Sequence, residues 1–316
     1  MAPTLEDTVL ITGANSGLGK DMARQLALRG DFAKIYLGCR NQARAEAAKR
    51  ELENVTGTAR FEIVLMDVSD PRSVRSATAF LHRPLTALVM NAGGSGGPAP
   101  MALTPDGVTE IFASNVLGHV VLLEALLASQ MLSVVAELIG SEAALGVAKL
   151  RLPRPVFTDS SADEFASVID GSFFAGRKVN PGLAYGQVKY LGALWMAATA
   201  RKHPELRFIT MSPGNTAGTE VNRDLPAPAR LVVRHVLPRV APLLKLGHPL
   251  EVGTRRLIDG ITDPSLHSGV FYASAANQLT GPVVDQATIN PDLRDPVIQD
   301  HADEAIHRFL SPPEAR

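Results

Sequence analysis

The stretch Thr8-Val9-Leu10-Ile11-Thr12-Gly13-Ala14-Asn15-Ser16-Gly17-Leu18-Gly19 decides the fold of this chain. Residues 8–11 form a short β-favouring apolar run, and residues 19–29 carry alanine, leucine and charged residues at helical spacing. Between them, glycines at 13, 17 and 19 permit backbone turns that a side chain would block. They also let a pyrophosphate approach the free amides of a helix N-terminus. A strand, a glycine turn and a helix start, in that order, predict a dinucleotide site with Gly13, Asn15, Ser16, Gly17, Leu18 and Gly19 as its contacts. The spacing is G-x-x-x-G-x-G with a threonine in front, and not the commoner G-x-G-x-x-G, so it points to a narrower group.

Outward from this unit, β-rich runs recur at 34–38, 61–66, 87–90, 134–139, 207–211 and 269–273. Helical patterns at 42–54, 71–80, 107–127 and 184–201 separate most of them. This alternation predicts a Rossmann-type α/β fold: a doubly wound parallel sheet of about seven strands with helices on both faces. The 316 residues suit one domain, 1–316. Two segments interrupt the alternation after strand ends, where open α/β sheets bind ligands. One is 142–183, read as an insertion beside the active site; the other is 215–249, with several prolines, read as a lid over the substrate. Within the second, the apolar run with basic punctuation from Leu231 to Leu246 fits a lid, an ordinary core helix or a lipid-touching surface.

Composition narrows the partners. With 31 basic and 32 acidic residues and no long run of one sign, nothing predicts a nucleic-acid footprint. One cysteine, Cys39, cannot close a disulfide, and a start without signal-peptide character points to a cytoplasmic protein. Charged and polar residues break the most apolar region, 116–139, so no membrane span is expected.

The end of the second strand distinguishes the two nicotinamide dinucleotides. A carboxylate there binds ribose hydroxyls; this chain has Arg40-Asn41 instead, and a guanidinium pairs with a 2′-phosphate, which favours NADP(H). Asp67 and Val68 close the third strand near the expected adenine position, and Asn91-Ala92-Gly93 closes the fourth with a tight turn.

Tyr185 and Lys189 stand four residues apart in a helical pattern and so share a face. A tyrosine of pKa about 10 needs a nearby cation to act as an acid or base near neutrality, and Lys189 can supply one. Ser141, at the end of the fifth strand, could hold a substrate oxygen or merely cap a turn. Asn115 sits inside a helical pattern where asparagine is unfavourable. It suits either a water relay to Lys189 or the satisfaction of a buried backbone group. His119, one turn later, reads as packing, and no metal-ligand cluster is visible.

The glycine turn, Asn91-Ala92-Gly93, Asn115, Ser141, Tyr185-x-x-x-Lys189 and Pro213-Gly214 together resemble the short-chain dehydrogenase/reductase family from about residue 7 to about 285. The resemblance implies a nicotinamide cofactor and an Asn115, Ser141, Tyr185, Lys189 catalytic set. It also implies cofactor contacts at Pro213 and Gly214. The family's usual threonine position is Gly218 here, which leaves Thr216 or Thr219 for the nicotinamide amide. The 44-position gap from Ser141 to Tyr185, the Gly38-Cys39-Arg40-Asn41 run and the tail from Glu251 to Tyr272 resemble the retinol dehydrogenase and protochlorophyllide reductase branch. Cysteines typical of the photoenzymes are missing. The implied activity is NADPH-dependent reduction of a ketone or aldehyde on a bulky apolar molecule. Protochlorophyllide-type C=C reduction and a non-catalytic NADPH-binding sensor or scaffold are the alternatives. A monomer or homodimer is expected, with peripheral lipid contact as the one membrane role left open.

Overall fold

The computed structural model describes residues 7–216 and 247–310. Its eight strands form one sheet in the order β3-β2-β1-β4-β5-β6-β7-β8. These are β1 (Thr8–Thr12), β2 (Lys34–Cys39), β3 (Phe61–Leu65), β4 (Leu85–Met90), β5 (Leu132–Ile139), β6 (Arg207–Met211), β7 (Val270–Ser274) and β8 (Val283–Asp285). The first seven run parallel, and β8 lies antiparallel on β7. Helices cover both faces, so the central strands are apolar on both sides, as β1 shows with all five residues buried. Alternate residues feed two cores. Leu10, Leu88, Leu138 and Phe208 face one; Val9, Ile11, Val89 and Val135 face the other.

The helices are α1 (Gly17–Arg29), α2 (Gln42–Thr56), α3 (Pro71–Thr78), α4 (Glu110–Phe112), α5 (Gly118–Ala128), α6 (Ala162–Ile169), α7 (Pro181–Lys202), α8 (Leu250–Thr262) and α9 (Pro296–His307). Strand order reverses between β1 and β4, which opens the crevice at their carboxyl ends where such sheets bind ligands.

Four features depart from the sequence reading. The sheet gains β8, a three-residue edge strand too short to give a period. The insertion 142–183 is not all loop, since α6 lies within it. Helices α8 and α9 went unread. The helix expected over 107–127 begins at Glu110, because Leu103 and Thr109 pair across a turn just before it, and it widens into a π-turn over Ala113–Leu117. The Glu110–Ala128 stretch is long and apolar enough to cross a membrane, and 72% of that window is buried inside the fold. Its apolarity serves the core between the sheet and α7.

Candidate active site

The start of α1 leaves its first amides without a side-chain partner. Ser16 occupies the N-cap position, yet its side chain caps nothing and no acidic residue stands in the first turn. The first-turn amides thus keep donors available. Gly17 takes φ 54, and a Cβ there would meet nothing within 4 Å, so the turn is open on the approach side. Asn15 is half-buried beside it, and Leu18 packs against the core. These features fit a dinucleotide pyrophosphate.

Arg40, at the end of β2, is exposed and makes no hydrogen bond or ion pair among the described residues. Asn41 caps α2 through its Oδ1, which accepts from Arg44 N at 2.9 Å. Asp67 Oδ1 accepts from Ser69 N and Oγ, at 3.0 and 2.7 Å, leaving Oδ2 for another donor. Val68 follows it, packed against the first core.

After β4 the chain is clamped from two sides. Asn91 N and Ala92 N each donate to Thr12 Oγ1 at 2.9 Å, and Asn91 Nδ2 donates to Thr12 O at 2.8 Å. On the far side, Asn115 Oδ1 accepts from Gly94 N at 3.0 Å while its Nδ2 donates to Gly94 O at 2.9 Å and Ile111 O at 2.8 Å. A Cβ on Gly93 would overlap Asn115 Oδ1, so only glycine lets the turn sit this close. The side chain of Asn115 therefore satisfies buried backbone groups.

The backbone carbonyl of Asn115 faces His119, which is not mere packing. His119 Nδ1 lies 3.2 Å from Asn115 O and Nε2 lies 3.0 Å from Thr12 Oγ1. A carbonyl only accepts, so Nδ1 carries the proton. Burial pushes the ring down to about 4 and keeps it neutral, so Nε2 accepts from the Thr12 hydroxyl. Thr12, the Asn91–Gly94 turn, Asn115 and His119 thus form a closed circuit joining β1, β4 and the π-turn.

Ser141 follows β5 in extended conformation. Its Oγ accepts from Ala143 N at 3.2 Å, so it caps a turn, and its hydroxyl is close enough to the Tyr185 phenol to favour the phenolate. Lys189, one turn along α7 from Tyr185, is buried; its Nζ donates to Ile139 O at 2.8 Å and lies 5.7 Å from the Tyr185 ring centroid. Burial pushes Tyr185 up to about 12, with Ser141 opposing and the Glu142 charge adding to the rise. Burial pulls Lys189 down to about 8. The expected lowering of Tyr185 by Lys189 is thus not present in the chain alone, where Lys189 is spent on the β5 carbonyl.

Sequence reading missed the polar network beneath this group. Glu142 accepts from Ser212 Oγ at 2.6 Å and Ser274 N at 3.2 Å, with Arg256 Nη1 at 3.9 Å. Arg256 also donates to Ser274 Oγ at 3.1 Å and to Gly281 O. Ser212 Oγ in turn accepts from Gly214 N at 3.1 Å, which ties the Pro213-Gly214 turn to the residue after Ser141. A glutamate adjoining the candidate serine was visible; its buried cation, brought by α8, was not. Thr216 Oγ1 reaches Pro213 O at 3.1 Å and Gly214 O at 3.2 Å. Thr219 and the apolar run of the expected lid lie outside the described residues.

A mostly parallel sheet with an open glycine turn at its switch point, and with Ser141, Tyr185 and Lys189 gathered at the carboxyl ends of its strands, makes a Rossmann-type scaffold. Residues 7–140 match the sequence profile of the short chain dehydrogenase family. Human retinol dehydrogenase 11 is 38% identical over 122 residues, 38% of this chain and 37% of that protein. Dehydrogenase/reductase SDR family member 12 of Bos taurus is 31% identical over 214 residues, 65% of this chain and 59% of that protein. The match to the retinol dehydrogenase thus spans little more than a third of its length. A carbonyl reductase from chicken fatty liver shares the fold with a TM-score of 0.56 at 19% identity, over 84% of this chain and 94% of that one. Over residues 7–140 the chain is similar to the short chain dehydrogenase family, and over part of its length to retinol dehydrogenases and related proteins.

Proposed function

We propose that this protein is an NADPH-dependent reductase of a ketone or aldehyde on a bulky, largely apolar molecule. The observation that carries the reading is Tyr185 one helical turn from the buried Lys189, whose Nζ lies 5.7 Å from the ring centroid, with Ser141 acting on the phenol. Support for the phosphorylated cofactor comes from Arg40, an exposed guanidinium with no partner among the described residues and no carboxylate beside it at the end of β2. The chicken carbonyl reductase of like fold is described with NADPH bound.

Residues 17–19 would hold the pyrophosphate and Arg40 the 2′-phosphate. When bound, a reduced nicotinamide supplies the hydride. Ser141 orients the carbonyl oxygen, and Tyr185 gives that oxygen its phenolic proton as the alcohol forms. With a pKa of about 12, Tyr185 is fully protonated at neutral pH, the state that a proton donor in the reducing direction needs. Lys189, one turn from Tyr185, would stabilise the tyrosinate left behind, and Asn115 fixes the turn after β4 through Gly94.

Titration with NADPH and NADH, followed by nicotinamide fluorescence, tests the cofactor reading. NADPH is expected to bind at least tenfold more tightly, with the preference lost in Arg40→Ala. Tyr185→Phe is expected to cut turnover of the best carbonyl from a broad panel by about 10²–10⁴-fold while NADPH binding is unchanged. Equal affinities, or turnover retained in the tyrosine variant, would sink the proposal.

A further inference from the structure

A groove of about 590 Å³ opens beside the catalytic group. One wall is the first part of the insertion, from Leu145 to Arg154; the other is the turn after β7, from Ser274 to Gln278. Its inner end is Glu142, the neighbour of Ser141, yet neither Ser141 nor Tyr185 lines it. A molecule with its carbonyl between Ser141 and Tyr185 would therefore lay its remote part here. The volume suits a ligand of drug-like size.

The charge in this groove is one-sided. Arg151 and Arg154 line it, both exposed, and neither guanidinium has a hydrogen bond or ion pair with any described residue. The carboxylate at the inner end cannot offset them, because Glu142 is occupied by Ser212, the Ser274 amide and Arg256. The other lining groups are apolar or neutral.

The backbone holds one of these arginines in an unusual way. Arg151 sits at φ 54, and the paired Val147 N to Leu152 O and Leu152 N to Val147 O bonds, 2.9 and 3.1 Å, lock the small turn that carries it. Facing it, Asn277 takes φ 57. Of four non-glycine residues with positive φ among the described residues, two stand on opposite walls of this groove. Such conformations persist where surrounding structure imposes them, and they gather at ligand clamps.

We propose that this groove is an anion subsite: Arg151 and Arg154 bind a carboxylate at the end of the substrate remote from its carbonyl, while Leu145, Val147 and Leu152 cover the apolar chain between. This rests on the carbonyl reductase reading for the position of the carbonyl, and it narrows the substrate class to amphipathic oxo-acids. Neutral aldehydes and ketones then become poor substrates, recognised only along their apolar length.

The probe is 11-(dansylamino)undecanoic acid against its methyl ester, both titrated by dansyl fluorescence into the full chain without cofactor. The acid is expected to bind at least tenfold more tightly. In the Arg151→Gln, Arg154→Gln double variant the acid is expected to fall to the affinity of the ester, with ester affinity and NADPH affinity unchanged. Equal binding of acid and ester by the unmodified chain, binding of neither, or an acid preference that survives in the variant would overturn the subsite. If no carbonyl in a broad panel is reduced while the acid preference appears and then vanishes in the variant, the reductase reading fails and the anion site stands.

Discussion

Lys189 brings a charge into a site where the described chain offers it a single hydrogen bond, from Nζ to Ile139 O. Its pKa, drawn from 10.5 to about 8 by burial, expresses a cost of about 3 kcal/mol to the folded state near neutral pH. Losing the bond to Ile139 would return about 1 kcal/mol of that. Lys189→Met is thus expected to abolish reduction and yet stabilise the cofactor-free chain by about 2 kcal/mol at pH 7. The pH dependence has a definite sign. Below pH 8 the lysine is protonated folded and unfolded, and the full penalty stands. From pH 8 to 10.5 the folded chain has released the proton while the unfolded chain keeps it, so wild type gains stability as pH rises and closes on the variant. Urea unfolding of both proteins across pH 7–11 checks this; a gap that stayed constant would assign the effect to packing. The Y-x-x-x-K spacing could be read from sequence, while the energetic burden of burying the lysine could not.

At the scale of elements, the circuit of Thr12, Asn91, Gly94, Asn115 and His119 joins the glycine turn to the start of α5. The sequence showed an asparagine out of place in a helix, and that signal was sound. It could not show the π-turn at Ala113–Leu117, because the cause is tertiary: Gly94 takes both ends of the Asn115 amide. Nor could it show that His119, spaced like a packing residue, meets Thr12 from a distant strand. His119→Phe keeps the bulk and removes both bonds, leaving the Thr12 hydroxyl only the longer bond to Val89 O, 3.4 Å, in a dry site. Near pH 7 a loss of about 1–3 kcal/mol is expected, with weaker NADPH binding as the Thr12 turn loosens. The wild-type imidazole has its own pH signature. Its folded pKa of about 4 lies below the unfolded value near 6.5, so wild type sheds stability as pH falls from 6.5 towards 4, and the phenylalanine variant does not. The difference between the two proteins should therefore shrink with acidity. Unfolding at pH 4.5 and pH 7 measures it, and a difference unaltered between them would show that the ring is not held neutral.

For the whole molecule, the first seven strands were legible because parallel strands covered on both faces are written as short apolar runs. What was lost is α8, which packs into the second core, and two helices farther out. α6 carried its own signal, a Ser161-x-x-Glu164 box in which Ser161 Oγ accepts from Glu164 N at 3.1 Å, but it sat in a segment read as loop. α9 begins with Asp295-Pro296, another helix-start signature. These two pieces decide how the molecule meets its neighbours, because both pack on α7. Phe157 of the insertion stacks on Tyr190 of α7 at 5.6 Å, and Arg201 near the end of α7 bonds Gln299 of α9 at 2.8 Å. As a result α7 is buried without interruption from Gly186 to Thr199, Trp195 included. A long helix already covered by its own chain has no apolar face left for a second copy. The chain is thus expected to elute as a monomer of 33.6 kDa at micromolar concentration, by size exclusion with light scattering. Deleting residues 296–316 would uncover the α7 face and should yield dimers or larger species, since an exposed apolar patch of helix size associates. A dimer formed by the intact chain, or a deletion variant that stays monomeric and folded, would show that α6 and α9 do not shield that face.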